Sequence, residues 1–269
     1  MYTAPTATPR TLDDDALRRA APSVFAVNPW GRMSGRYRMV PTIDVVGMLR
    51  DKGFSPVRAE QSRTRIPGKG DFTRHLVRFR HADHLSPLAV GEEVPELVLV
   101  NSHDGTSAYK FLAGIFRLVC SNGMVVQSSD HGSISVRHSG GADFGDRVLD
   151  ATFRIMDDAP RILAKIDAWK QIDLTPPQRD AFAAAALELK DNRAVTPAQL
   201  LAPRRAEDRK ADLWTTASVI QEHLLRGGDR GRAATGRRTT TRPVKSVGED
   251  LRLNRALWTL AERLAEAVS

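Results

Sequence analysis

Arg63, Arg65, Lys69, Arg74, Arg78 and Arg80 crowd one short stretch of the chain, and Arg230, Arg232, Arg237, Arg238, Arg242 and Lys245 crowd another. Guanidiniums at this density suit one kind of chemistry: they hold phosphate oxygens in a bidentate fork and stack on bases, with no proton transferred and no covalent bond made. From Trp30 to Arg80 the charge balance is +8 and from Arg226 to Lys245 it is +6, yet the whole chain is only +8, so the remainder is net acidic. Charge segregated in this way is the footprint of a surface that meets a polyanion. Thirty-two of the forty cations are arginine. The second stretch sets its cations among Gly228, Gly231 and Thr239 to Thr241, the composition of a flexible phosphate-binding segment, with a plain solvated loop between helices as the alternative.

Residue patterns for bond-making chemistry are sparse. There is no GxxxxGK[ST] phosphate loop, no HExxH and no GxSxG elbow. His81 and His84, and His131 and His138, lack a carboxylate at ligand spacing and read as satisfied polar histidines. Cys120 ends the apolar run Phe116 to Val119 and reads as a small buried thiol. The acids Asp143, Asp146, Asp150, Asp157 and Asp158 form the densest acidic stretch, and their helical spacing reads as a solvated helix face. No catalytic residue, metal site or cofactor is assigned.

The elements that must position the cations follow from periodicity. Alternation over His75 to His81 puts His75, Val77 and Phe79 on one face and Arg74, Arg78 and Arg80 on the other, with Leu76 the exception, which predicts a half-buried strand with a basic face. Ser55 to Arg65 is its hairpin partner through Pro67-Gly68-Lys69-Gly70 and adds Arg63 and Arg65. Turn signals at Asp104-Gly105 and Asn122-Gly123 separate the apolar runs 96–100, 108–119 and 124–127, an antiparallel meander. Both faces of 108–119 are apolar, which predicts cover on two sides, from another copy or from the C-terminal helices. Trp30, Tyr37, Phe54, Phe72 and Tyr109 are the aromatics available to stack on bases, with Phe54 and Phe72 read as core.

Helical spacing frames this sheet. A short helix is expected over 43–52, capped by Thr42 and ended by Gly53. After Gly140-Gly141, Phe144, Val148, Ala151 and Ile155 form one stripe, and Pro160 restarts the chain. Thr175 and Thr196 precede prolines as capped helix starts. Helices follow over 207–226 and 249–267, with the basic loop 227–247 between them, expected to be mobile until nucleic acid orders it.

The fold expected is therefore α+β: an antiparallel sheet of hairpin plus meander packed with helices, then a C-terminal helical region. The divisions are a flexible arm over 1–24, an α+β core over 25–172 and a helical region over 173–269. With 41% hydrophobic residues the chain can build a substantial core, and its one cysteine allows no internal disulfide. The absence of an apolar run of membrane length predicts a soluble cytoplasmic protein with no membrane partner.

The motif Phe116-Arg117-Leu118-Val119-Cys120-Ser121-Asn122-Gly123-Met124, with Leu213-Trp214-Thr215-Thr216, Gln221-Glu222-His223-Leu224, the basic loop and Leu253-Asn254-Arg255-Ala256-Leu257-Trp258, resembles a phage- and plasmid-encoded family known as domain of unknown function 932. That resemblance spans about residues 25–265 and implies a mobile-element setting; His223 stands where the family pattern has Asn. The order of elements is also similar to the core of single-strand annealing recombinases, which implies a protein that binds single-stranded nucleic acid, promotes annealing and assembles into a homo-oligomer, a ring being one form. Two other classes stay open. One is a metal-dependent nuclease, and the other is an anti-defence or regulatory protein that uses its basic surfaces on an acidic protein partner.

Overall fold

Pairing of strands is antiparallel throughout, as the two-residue alternation requires. The computed structural model describes residues 10–31, 38–88, 91–117, 123–126, 133–137, 143–190, 194–233 and 235–268. Tyr37, Cys120, Asn122, His131, His138 and the Gly140-Gly141 pair lie outside them. The sheet is built from β1 (Phe54–Gln61), β2 (His75–His81), β3 (Glu93–Asn101), β4 (Tyr109–Arg117), β5 (Gly123–Val125) and β6 (Ile134–Val136) in the order β1-β2-β3-β4-β5, with β6 on the other half of the β4 edge. The hairpin partner of β2 is β1, in register Gln61↔His75 with a bulge between Pro56 and Arg58. This strand stops at Gln61, so Arg63 and Arg65 stand in the connection beyond it.

The helices are α1 (Asp14–Ala20), α2 (Thr42–Asp51), α3 (Phe144–Asp157), α4 (Ala159–Trp169), α5 (Pro176–Glu188), α6 (Pro197–Leu200), α7 (Leu213–Arg226) and α8 (Val247–Val268). Capping boxes at Thr175 and Thr196 start α5 and α6, and the Asp212 carboxylate caps α7 by accepting from Thr215 N at 2.7 Å. The arm expected over 1–24 is docked where it is described. Asp13 caps α1, Leu17 is fully buried, and Leu12 N donates to Pro56 O of β1 at 2.7 Å.

One sheet face carries Val77, Phe79, Leu97, Leu99, Phe111 and Ile115 against Val46 and Leu49 of α2 and Val148 and Ile155 of α3. The same buried cluster runs on through Trp169, Trp214 and Trp258, whose rings lie 4.6 to 6.4 Å apart, so the segments 25–172 and 173–269 share one core. Glu93 ties them at the surface of that core by accepting from Trp214 Nε1 at 2.7 Å and Lys170 Nζ at 2.8 Å.

Thr42 does not cap α2. It is the first residue of that helix, and its hydroxyl is buried within 2.9 Å of His75 Nε2, 3.0 Å of His103 Nε2 and 3.0 Å of Asn101 Nδ2. Asn101 donates to that hydroxyl, which also lies 3.4 Å from the Tyr109 hydroxyl, so Thr42 is held in a buried polar cluster.

The second sheet face was expected to be basic and solvated, and it is covered instead. Leu76, Val98, Val100, Leu112 and Val125 pack against Val247 and Leu251 of α8. Arg78 and Arg80, on that same face, are only 4% and 3% exposed and flank Glu96 at 3.0 and 2.8 Å. Gly114 opposite Glu96 makes the room: a methyl group there would lie 2.7 Å from Val98 and 3.1 Å from the Arg78 guanidinium. Arg80 lies 4.2 Å over the Phe116 ring. Both faces of β4 are thus closed within one chain, and the argument for a second copy as cover falls away.

Candidate nucleic-acid interface

The first basic segment is the connection between β1 and β2. Its base is closed by Ser62 N to Arg74 O at 2.7 Å and its middle by a turn over Gly70–Phe72, onto which Gln61 Nε2 donates at 3.1 Å. Trp30 packs on Phe72 with ring centroids 5.4 Å apart and lies against Gly68. Lys69 is 3.0 Å from Asp104 in the β3–β4 turn, which fastens the tip and neutralises that cation. Burial alone would raise the Asp104 carboxyl, but hydrogen bonds from Thr106, Ser102 and Lys69 hold it well below the ordinary carboxylate range. Arg63 and Arg65 stand exposed on this framework, and Arg74 is half-buried with its Nε unbonded.

The second segment is a hairpin rather than a structureless loop: β7 (Arg230–Arg232) pairs with β8 (Arg238–Thr240). Its foot is fixed at Asp229, which meets His223 Nδ1 at 2.6 Å, Arg204 at 3.1 Å and the Thr241 hydroxyl at 3.3 Å. His223, in the place where Asn was expected, donates through Nε2 to Ala202 O at 2.8 Å and so ties the end of α7 to the chain before it. Gly227, with φ of +61°, lets the chain leave α7 close beside the Thr241 and Arg242 backbone, where an added methyl group would lie 2.7 Å from both. Along its flank the hairpin pairs with residues before α6: Arg232 N donates to Ala194 O at 3.0 Å, and a methyl group on Gly231 would sit 1.8 Å from that oxygen. Lys190 Nζ donates to Leu224 O at 2.6 Å and Arg242 O at 3.1 Å, and burial pulls its pKa down.

What this framework displays is cationic. Arg230, Arg232, Arg237, Arg238, Arg242 and Lys245 are all exposed. Among the described residues none of these six has an acidic partner, and the Arg232 guanidinium bonds only the Gly236 carbonyl at 3.0 Å. Arg63, Arg65 and Arg74 are likewise without one. Nine of the twelve expected cations therefore remain available, while Lys69 is paired with Asp104 and Arg78 and Arg80 are buried against Glu96.

The structure brings the two segments together at the start of α8. Ser62 Oγ accepts from Val247 N at 3.3 Å, and the Arg74 Nη1 lies so close to Gly248 that a methyl group there would be 3.0 Å away. Beside this junction, between β1, β2, the end of α7 and the start of α8, opens a cleft of about 430 Å³. Its charged walls are Arg58, Arg78 and Arg226 with Glu60 and Asp250; its apolar walls include Leu76, Leu225, Val244 and Val247. Burial raises the Asp250 carboxyl, an effect that Glu60 reinforces and that Arg78, Arg58 and the Asn254 amide only partly offset. Glu60 and Asp250 carried no signal in the sequence, where one reads as a strand acid and the other as a first-turn helix acid.

Other sequence candidates do not converge. His81 pairs with Asp83 at 3.0 Å, and Asp143, Asp150 and Asp158 each pair with a nearby arginine on or beside α3 and α4. Among the described residues no three His, Cys, Asp or Glu side chains are grouped to hold a metal ion, and no helix is long and apolar enough to cross a membrane. Phe54 and Tyr109 are core residues, 2% and 0% exposed, whereas Phe72 of the β1–β2 connection and Trp30 packed on it are half-buried; Tyr37 lies outside the described residues.

Comparison with known proteins places these features in a lineage. The chain is 42% identical over 258 residues to two Escherichia coli K12 proteins, UPF0380 protein YafZ and UPF0380 protein YfjQ, covering 95% of its own length and 92% of each of theirs. No solved structure matches it. Residues 29–258, which take in the sheet, α7, both basic segments and the start of α8, match Domain of unknown function (DUF932), and the protein belongs to that family.

Proposed function

We propose that the protein binds single-stranded DNA through the joined surface of the β1–β2 connection and the β7–β8 hairpin, and that it promotes annealing of complementary strands in a phage or plasmid setting. The observation that carries this reading is the set of nine cations without acidic partners on two segments that meet at Ser62 and Val247. Such cations repel one another until phosphates replace that repulsion, and they read the backbone without regard to base identity. Strand annealing needs no group to make or break a bond: cations hold the phosphates and leave base edges free to pair. The half-buried Trp30–Phe72 pair, packed on the connection that carries Arg63 and Arg65, supports stacking of a base.

A gel-shift comparison of single- and double-stranded oligonucleotides at two salt concentrations tests the proposal. Binding should favour the single strand and weaken with salt, log K falling by about 0.7 for each phosphate neutralised. Affinity that ignores salt, or none at low salt, would overturn it and leave an acidic protein partner as the ligand of these cations.

A further inference from the structure

We infer that the tip of the β1–β2 connection is a wedge: Ile66 enters between two neighbouring bases of the bound strand and parts their stack. This inference rests on the proposed strand binding and deepens it. Cations that grip only phosphates leave the bases stacked as they find them, whereas a wedge opens them for pairing.

Large apolar side chains stand exposed at three places among the described residues: Val27 at 69%, Ile66 at 53% and Phe153 at 47%. One such side chain alone is ordinary on a protein surface. What sets Ile66 apart is how it is held and what stands beside it. The turn Ile66-Pro67-Gly68-Lys69 is closed by Lys69 N donating to Ile66 O at 3.2 Å, with proline second and Gly68 third at φ of +73°. The following proline confines Ile66 to extended backbone, and branching at Cβ stiffens its χ1. Ile66 N donates to the Thr64 hydroxyl at 3.1 Å. A methyl group on Gly68 would touch the Trp30 ring at 3.5 Å, and Lys69 is tied to Asp104, so the turn is buttressed from the side of the fold while Ile66 remains in solvent. Arg63 and Arg65, just before it, are exposed and have no acidic partner. By contrast, Arg154 beside Phe153 pairs with Asp150 at 3.1 Å, and Val27 stands between Ala26 and Asn28.

An apolar tip next to unpaired guanidiniums needs a ligand that is anionic and apolar within one residue's length. A single strand is such a ligand, with phosphates on one side of each sugar and stacked bases on the other. Isoleucine and proline are among the side chains that proteins drive between base steps, the unstacking being offset by apolar burial and by backbone contacts. With backbone and χ1 already fixed, Ile66 loses little freedom on insertion. An acidic protein segment bearing an apolar side chain is the other occupant, and it would leave the bases untouched.

An end-labelled oligo-dA carrying 2-aminopurine at several positions tests the wedge, because 2-aminopurine is dim in a stack and bright once its neighbours move away. Several positions are used because binding without sequence preference lets the register vary. At protein concentrations that saturate the anisotropy of the end label, 2-aminopurine emission should rise about twofold or more. Ile66→Ser should bind the same strand within about threefold of wild type, with unchanged salt slope and thermal transition, and lose the rise, while Ile66→Leu should keep it. Wild type that saturates the strand with no rise, or a rise that survives in Ile66→Ser, would overturn the wedge and leave strand binding standing. No anisotropy change at low salt would instead remove strand binding, and the wedge with it.

Discussion

Replacing Arg232, Arg237, Arg238 and Arg242 together by Ala removes four exposed cations that have no acidic partner among the described residues. If each neutralises one phosphate of a single strand, the plot of log K against log salt should flatten by up to about 2.8, at about 0.7 per contact. Relative to 1 M salt, counterion release at 0.1 M is worth about fivefold per contact, so the four together are worth at most about 600-fold. Contacts that stay partly hydrated lower that ceiling, and a loss above about tenfold at 0.1 M is expected. The fold should be indifferent. What fixes the hairpin is the backbone pairing of β7 with β8, the Asp229 contacts to His223, Arg204 and Thr241, and the Arg232 N to Ala194 O bond, and all of these survive truncation to Ala. The assay is anisotropy of labelled oligo-dT titrated between 50 and 300 mM salt, roughly the range in which such slopes are linear, with a thermal melt of the same sample. A quadruple variant that binds with unchanged slope would return the hairpin to a solvated connection. One that unfolds would show the arginines to be structural.

Further outcomes separate the sealed charges from the displayed ones. Glu96→Gln strips Arg78 and Arg80 of the carboxylate between them and should cost about 3–5 kcal/mol in urea denaturation while leaving the salt slope of DNA binding unchanged. Trp30 is half-buried against Phe72 and Gly68 of the basic β1–β2 connection whereas Trp169, Trp214 and Trp258 are sealed in one cluster, so tryptophan fluorescence quenched by single-stranded DNA should lose its response in Trp30→Phe. With both faces of β4 covered in-chain, light scattering should find the free protein monomeric, and a homo-oligomer, rings included, only once DNA is added; a stable ring without DNA would show that some other surface joins the copies. The lowered Asp104 carboxyl stabilises the fold at pH above the ordinary carboxylate value and loses that contribution only as pH falls toward its depressed one, so Asp104→Asn should flatten the acid limb of a stability–pH profile.

How much of this was legible in the sequence depended on whether the deciding interaction was local. The strand over 75–81, the stripe of Phe144, Val148, Ala151 and Ile155, the break at Pro160 and the capped helix starts at Thr175 and Thr196 all rest on residues within a turn or two of one another, and each stands where the local pattern put it, whereas the partner strand expected over 55–65 ends at Gln61. Thr42 shows the limit. A threonine before an apolar helical run has the local signature of a cap, but two histidines and an asparagine from β2, β3 and the turn after β3 draw its hydroxyl into the core instead. The docked residues 10–25 failed for the same reason, since a seven-residue helix is marginal alone and is held by Leu17 in a distant core.

The basic face of β2 failed more instructively, and its failure sharpens the functional reading. Alternation assigned Arg78 and Arg80 to a face correctly; what it could not assign was whether that face met water. The clue lay in the neighbouring strand, where Glu96 is a lone acid in the run Val94-Pro95-Glu96-Leu97-Val98-Leu99-Val100, and an acid in so apolar a strand must be paired if it is buried. Leu76, Val98, Val100 and Leu112 share the face, so the two arginines and Glu96 form a satisfied charge cluster in an apolar layer. Arginines used inside the fold in this way cannot also meet phosphate. The cations left for a polyanion are therefore those on turns and on the short hairpin, where the backbone is fixed by Asp229, Thr241, Ser62 and Gln61 and the guanidiniums are not. A rigid backbone carrying unsatisfied charge is suited to grip a flexible strand, because the ordering cost falls on the ligand and on a few side chains rather than on a whole loop.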